Sequence, residues 1–88
     1  MIFLYITVGS ITSATRLKKL IEKRAGYPAY LVHTPSEINE TGGCSYSVRA
    51  DNRLAPLVRP LSEEYGIGIK NIYTEEFAEG ERVFNAVP

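Results

Sequence analysis

Cysteine occurs once in this chain, histidine once and tryptophan not at all. One thiol excludes an internal disulfide framework. One thiol and one imidazole cannot complete a tetrahedral zinc site, so no metal is expected, nor any other cofactor. Charge of one sign is missing too: ten basic residues balance ten acidic ones. Without a net field there is no electrostatic case for a nucleic-acid partner. Long apolar runs are also absent. The opening residues 1–8 are apolar but too short for a bilayer, and they lack a basic flank or cleavage pattern. No membrane partner is expected, and a lone thiol fits the reducing cytosol.

What remains is the composition of one globular domain. An apolar fraction of 44% and a charged fraction of 23% argue against disorder. An 88-residue chain buries a limited core. Spare apolar surface then goes into an interface, so a homodimer is expected.

Residues 2–8 are β-branched, aromatic or leucine almost throughout, the pattern of a central strand with both faces at least partly covered. Gly9 breaks the run, and Ser10, Thr12 or Ser13 can cap a helix. Ala14, Leu17, Leu20, Ile21 and Ala25 then recur at helical spacing among Lys and Arg, and Gly26 ends the helix. The basic side chains read as a solvated helix face. Residues 28–32 form a short strand opened by a proline, which suits an edge. A third strand follows at 46–50. Leu54, Leu57, Val58, Leu61 and Tyr65 mark a second helix, where Pro60 predicts a late start, a kink or a 3₁₀ piece. Residues 67–73 form a fourth strand. Glu79-Gly80 can turn a hairpin into an extra edge strand, or 75–88 can be a loose tail.

The order is β-α-β-β-α-β: an α+β, ferredoxin-like plan over 1–74, with a four-stranded antiparallel sheet and two helices on one face. In that plan the first and third strands are antiparallel neighbours, which brings the run Ser10-Ile11-Thr12-Ser13 beside the start of the third strand. Arg49 falls on the parity that faces away from the helices. Tyr5, Tyr30, Tyr46 and Tyr73 all lie on strands, and any on the helix-free face suits an interface.

The longest polar run, 33–45, ends in Gly42-Gly43-Cys44-Ser45. The glycines free the backbone just before the thiol, which stands at the first residue of a strand. A free thiol is mostly protonated at neutral pH, and the thiolate is the nucleophile. The N–H groups and dipole of a nearby helix N-terminus favour the anion. Amides of Gly43, Cys44 and Ser45 can cradle a persulfide, with Ser10 and Thr12 in support. Two readings of Cys44 stand open. It shares parity with Tyr46, Val48 and Ala50, so it can equally be a buried, inert hydrophobe. His33 is either a general base or an exposed strand-end residue, and Glu37 either a site acid or a cap within the loop.

The strand ending Val8-Gly9-Ser10, the following helix, and Pro35-Ser36-Glu37-Ile38 leading through Gly42-Gly43 to Cys44 resemble a family of small selenium/sulfur-carrier-like bacterial proteins. The resemblance runs from about Phe3 to Tyr73. It departs at Ser45, where the family loop has glycine after the cysteine. What it implies is a carrier rather than a turnover enzyme. Cys44 accepts sulfur or selenium as a persulfide or selenosulfide from a donor protein and passes it to an acceptor protein. The alternative is a non-catalytic interaction or small-ligand regulatory module on the same fold, with its sheet face as the interface.

Overall fold

The computed structural model describes residues 2–39 and 45–88. Strand β1 (Phe3–Val8) lies at the centre of a five-stranded, fully antiparallel open sheet. Its neighbours are β3 (Tyr46–Asp51) and β4 (Ile69–Ala78). Strands β2 (Ala29–His33) and β5 (Glu81–Val87) form the two edges, giving the order β2-β3-β1-β4-β5. The sheet therefore has five strands, not four. Strand β4 extends to Ala78, beyond the 67–73 expected from the apolar pattern, because the chain turns back on it. Glu79 and Gly80 take left-handed conformations, with φ of 54° and 80°. Two consecutive positive φ values make the turn whose twist matches a β-hairpin. The end of the chain is tied down as well: the Pro88 carbonyl accepts a hydrogen bond from Arg59 Nε at 3.4 Å.

Helix α1 (Ile11–Leu20) begins on Ser10, whose Oγ accepts from the Ser13 amide at 3.1 Å. It widens into one π turn, Ile21–Ala25, and stops at Gly26, where φ is 73°. A left-handed residue closes a helix, and glycine adopts it without strain. Helix α2 (Ala55–Glu64) follows a 3₁₀ turn, Asn52–Leu54, nucleated by Asp51, whose Oδ1 accepts from the Arg53 amide at 2.8 Å. Pro56 sits in the first turn, where its missing N–H costs nothing. Pro60 lies inside α2 rather than at its start. The expected 3₁₀ piece exists, but it precedes the helix and does not coincide with Pro60.

Leu4, Ile6 and Val8 of β1, Val48 and Ala50 of β3 and Ile72 of β4 face the same way. They pack with Ala14, Leu17 and Ile21 of the first helical segment and with Leu54 and Val58 at the second. Both helices thus cover one face. Completely burying a residue such as Leu17 or Ile6 contributes roughly 1.5–3 kcal/mol each, so this layer holds most of the apolar stabilisation. Among the described residues no helix is long and apolar enough to cross a membrane.

Candidate functional site

The antiparallel pairing of β1 with β3 brings Thr7 opposite Ser47. The end of β1 therefore meets the beginning of β3, and the N-terminus of α1 comes with it. Val8, Gly9, Ser10, Ile11, Ser45 and Tyr46 line one hollow of about 220 Å³. Ser45 is thus beside the first turn of α1, and Ser10 is there with it. The Ser10 hydroxyl is committed to the helix: it accepts from the Ser13 amide and donates to Ser13 Oγ at 3.2 Å. Thr12 is exposed on the first turn and does not line the hollow. Cys44, Gly42 and Gly43 lie outside the described residues.

On the other side of Val8 and Ser45, a smaller hollow of about 40 Å³ is lined by Thr7, Thr34, Ile38, Asn39, Lys70 and Asn71. Asn39 and Ser45, which bracket residues 40–44, both stand on it. The segment leaving β2 is fixed to β3 by the Thr34 amide, which donates to the Ser45 carbonyl at 2.9 Å. A 2.7 Å hydrogen bond between the hydroxyls of Thr34 and Ser47 adds to this.

From Thr34 the chain runs back across the helix-free face of the sheet. Pro35 leads a 3₁₀ turn, Ser36–Ile38, which buries Ile38 and directs Glu37 to the far edge. There Glu37 takes both ends of the Arg82 guanidinium, at 2.9 Å and 3.1 Å. Two parallel bonds of this kind fix direction as well as charge. Arg82 also reaches Glu75 Oε2 at 3.5 Å, and the Tyr5 hydroxyl donates to the same oxygen at 3.2 Å. Arg49 approaches Glu75 at 3.9 Å while lying 3.7 Å over the Phe3 ring. Phe84 meets Tyr5 edge-on at 5.3 Å.

The charges shape one another. Glu37 is held below the ordinary carboxylate range by its own backbone amide and then by Arg82, and Arg82 is raised in turn by Glu37. Burial pushes the Tyr5 phenol up; Arg49 opposes this and Glu75 adds to it.

Glu37 therefore ties its loop to β5 through Arg82. His33 is an exposed strand-end residue paired with Tyr46, the two rings 4.7 Å apart. Arg49, expected on an open face, lies partly covered, with Tyr5 at 6%, Thr7 at 8% and Glu75 at 5% exposure around it. Among the described residues, Ile38 and the Glu37–Arg82 pair stand over part of that face, while Tyr30 near the β2 edge stays 49% exposed. The Tyr5–Glu75–Arg82 cluster has no local signature in the chain, because Glu75 and Arg82 fall in the stretch 75–88, whose pattern fits a tail as well as a strand. The alternation Phe3-Tyr5-Thr7 against Asn71-Tyr73-Glu75 is the signal that marks a second buried face. Among the described residues no group of His, Cys, Asp and Glu is arranged to hold a metal ion.

No curated protein and no solved structure matches this chain. A family comparison covers residues 3–74, from the start of β1 into β4 and through Cys44; the family is described as "Putative Se/S carrier protein-like", and the chain belongs to it.

Proposed function

We propose that this protein carries sulfur or selenium on Cys44 between a donor and an acceptor protein in the cytosol. The observation that carries the reading is positional. Ser45, one residue beyond Cys44, lines a hollow with the N-terminal turn of α1, whose leading amides and dipole favour an anion. Membership of the carrier-like family supports the same role. The strand order β2-β3-β1-β4 with two helices on one face supports the ferredoxin-like plan, extended by β5.

The chemistry is a transfer without net oxidation. The Cys44 thiolate attacks the outer sulfur of a donor persulfide. A new S–S bond forms to Cys44, the donor's S–S bond breaks, and the donor cysteine leaves as a thiolate. Delivery reverses the roles: an acceptor nucleophile takes the outer sulfur and Cys44 departs as a thiolate. A selenosulfide follows the same path. The backbone amides of Gly43 and Ser45 and the turn beginning at Ser10 stabilise the charged sulfur. The loop from Pro35 to Gly43 provides the docking surface.

Mass spectrometry of the protein after incubation with a persulfide donor tests this. Wild type gains one sulfur on Cys44, and Cys44→Ser gains none. Alkylation of Cys44 follows a titration centred below the free-thiol value of about 8.5. A thiol that alkylates slowly at all pH values and never loads overturns the carrier reading.

A further inference from the structure

The two edges of the sheet are built differently. Strand β2 has five residues, with Pro28 just before it and Pro35 just after it. Short length and flanking prolines protect an edge from adding further strands. Strand β5 has seven residues, and after Arg82 the run Val83-Phe84-Asn85-Ala86-Val87 carries no charge, lysine or proline. Its side chains are mostly exposed. The hairpin end also leaves two large apolar residues in solvent, Phe77 at 71% exposure and Val83 at 38%.

The hairpin fixes which backbone groups are free to pair. The two-residue turn closes on the pair Ala78–Glu81, and the register continues through Glu76–Val83 and Thr74–Asn85. In an antiparallel ladder alternate pairs exchange both hydrogen bonds. Counting from the closing pair, Arg82, Phe84 and Ala86 turn their N–H and C=O groups to the outer edge.

We propose that β5 is the dimer interface of this protein, pairing antiparallel with β5 of a second copy about a two-fold axis at Phe84. This inference is independent of the carrier chemistry. In that register the three outward-turned residues meet outward-turned residues: Phe84 meets its own counterpart, and Arg82 meets Ala86 of the second copy. All seven residues are paired, and six backbone hydrogen bonds close a continuous ten-stranded sheet. Val83 comes diagonal to Val87 of the second copy, and like charges never stand opposite. An axis at Arg82 would instead oppose two guanidinium groups and leave most of the strand unpaired. The uncharged stretch 83–87 offers a charged partner nothing to select, whereas its outward residues match themselves.

Ala86 is exposed and its amide faces outward, so changing it spares the β4–β5 ladder. Sedimentation equilibrium of the full chain tests the proposal with three variants. Ala86→Pro removes two intermolecular hydrogen bonds by symmetry and weakens the dimer roughly thirtyfold. Ala86→Lys, facing Arg82 of the second copy, weakens it; Ala86→Glu tightens it, and the difference shrinks in high salt. Amide exchange in β4 verifies that the hairpin stays folded in each variant. A wild-type protein that remains monomeric at millimolar concentration overturns the proposal. So does a dimer whose affinity all three variants leave unchanged. A dimer weakened by Ala86→Pro but indifferent to Lys and Glu overturns the register centred on Phe84.

Discussion

The two faces of this sheet are buried by opposite means. On one, Leu4, Ile6, Val8, Val48, Ala50 and Ile72 meet two helices, and shape and apolar area suffice. On the other, Tyr5, Thr7, Ser47 and Glu75 are nearly as hidden, yet what stands over them is Phe84, two arginines and a short polar segment whose described residues bury one aliphatic side chain, Ile38. A segment that small cannot hold itself down by area, and directional bonds take over. Glu37 grips Arg82, and Arg82 leans on Glu75, which also receives Tyr5. A buried charge is tolerable only with partners, so the cluster commits its members to one arrangement. The helix-covered face tolerates conservative aliphatic exchange; the loop-covered face does not tolerate loss of a charge.

That contrast can be broken from the large end first. Ile6→Ala leaves a cavity under both helices and lowers unfolding stability by about 2–5 kcal/mol, read from the midpoint of urea denaturation. Glu75→Ala on the opposite face strands the Tyr5 hydroxyl and takes its nearby carboxylate from Arg49, while Arg82 keeps Glu37, for a loss of about 1–3 kcal/mol. Glu75→Gln recovers part of it by keeping the hydrogen bond from Tyr5. If Glu75→Ala proves as harmless as a surface change, the loop-covered face is not a cooperative part of the fold. Ser10→Ala removes the cap of α1 and costs about 1 kcal/mol, while Ser10→Gly costs only a few tenths.

The smallest effect is the most selective. Because its own amide and then Arg82 hold the Glu37 carboxyl low, the ion pair stabilises the fold above the usual glutamate range. That contribution is lost as pH falls through the depressed value. Asp51 is also held low, first by the Arg53 side chain, so total acid loss does not report on Glu37 alone. The difference between wild type and Glu37→Gln isolates it. The expected difference is present at neutral pH, shrinks on acidification below about pH 4 and falls with added salt. A pH-independent difference would mean that Glu37 acts by shape and not by charge.

Much of the helix-covered face was legible in the chain because periodicity reports burial against a single partner. Leu17 and Ile21 repeat at helical spacing, Val48 and Ala50 alternate as half-buried strands do, and the continuous apolar run around Ile6 marks a strand with both faces at least partly covered. The Glu79-Gly80 turn was legible as a possibility, since few residue pairs accept two positive φ values. Pro60 misled because a proline forbids one hydrogen bond, not a helix; α2 continues through it. Of the site, the nearness of Ser45 to Ser10 followed from strand order. The role of Glu37 did not, because its partner lies 45 positions away and no local pattern encodes that separation.

By itself, the sequence determined which residues of the helix-covered face seek the interior, where the first helix begins and ends, and that the chain has a single thiol. Those properties depend on near neighbours along the chain and on side-chain type. Only the tertiary structure decided that a polar segment would stand over part of the second face, that Arg82 would hold Glu37 there, and that β5 would form an edge of the sheet. Each depends on which distant strands become adjacent, a choice made by the packing of the whole sheet.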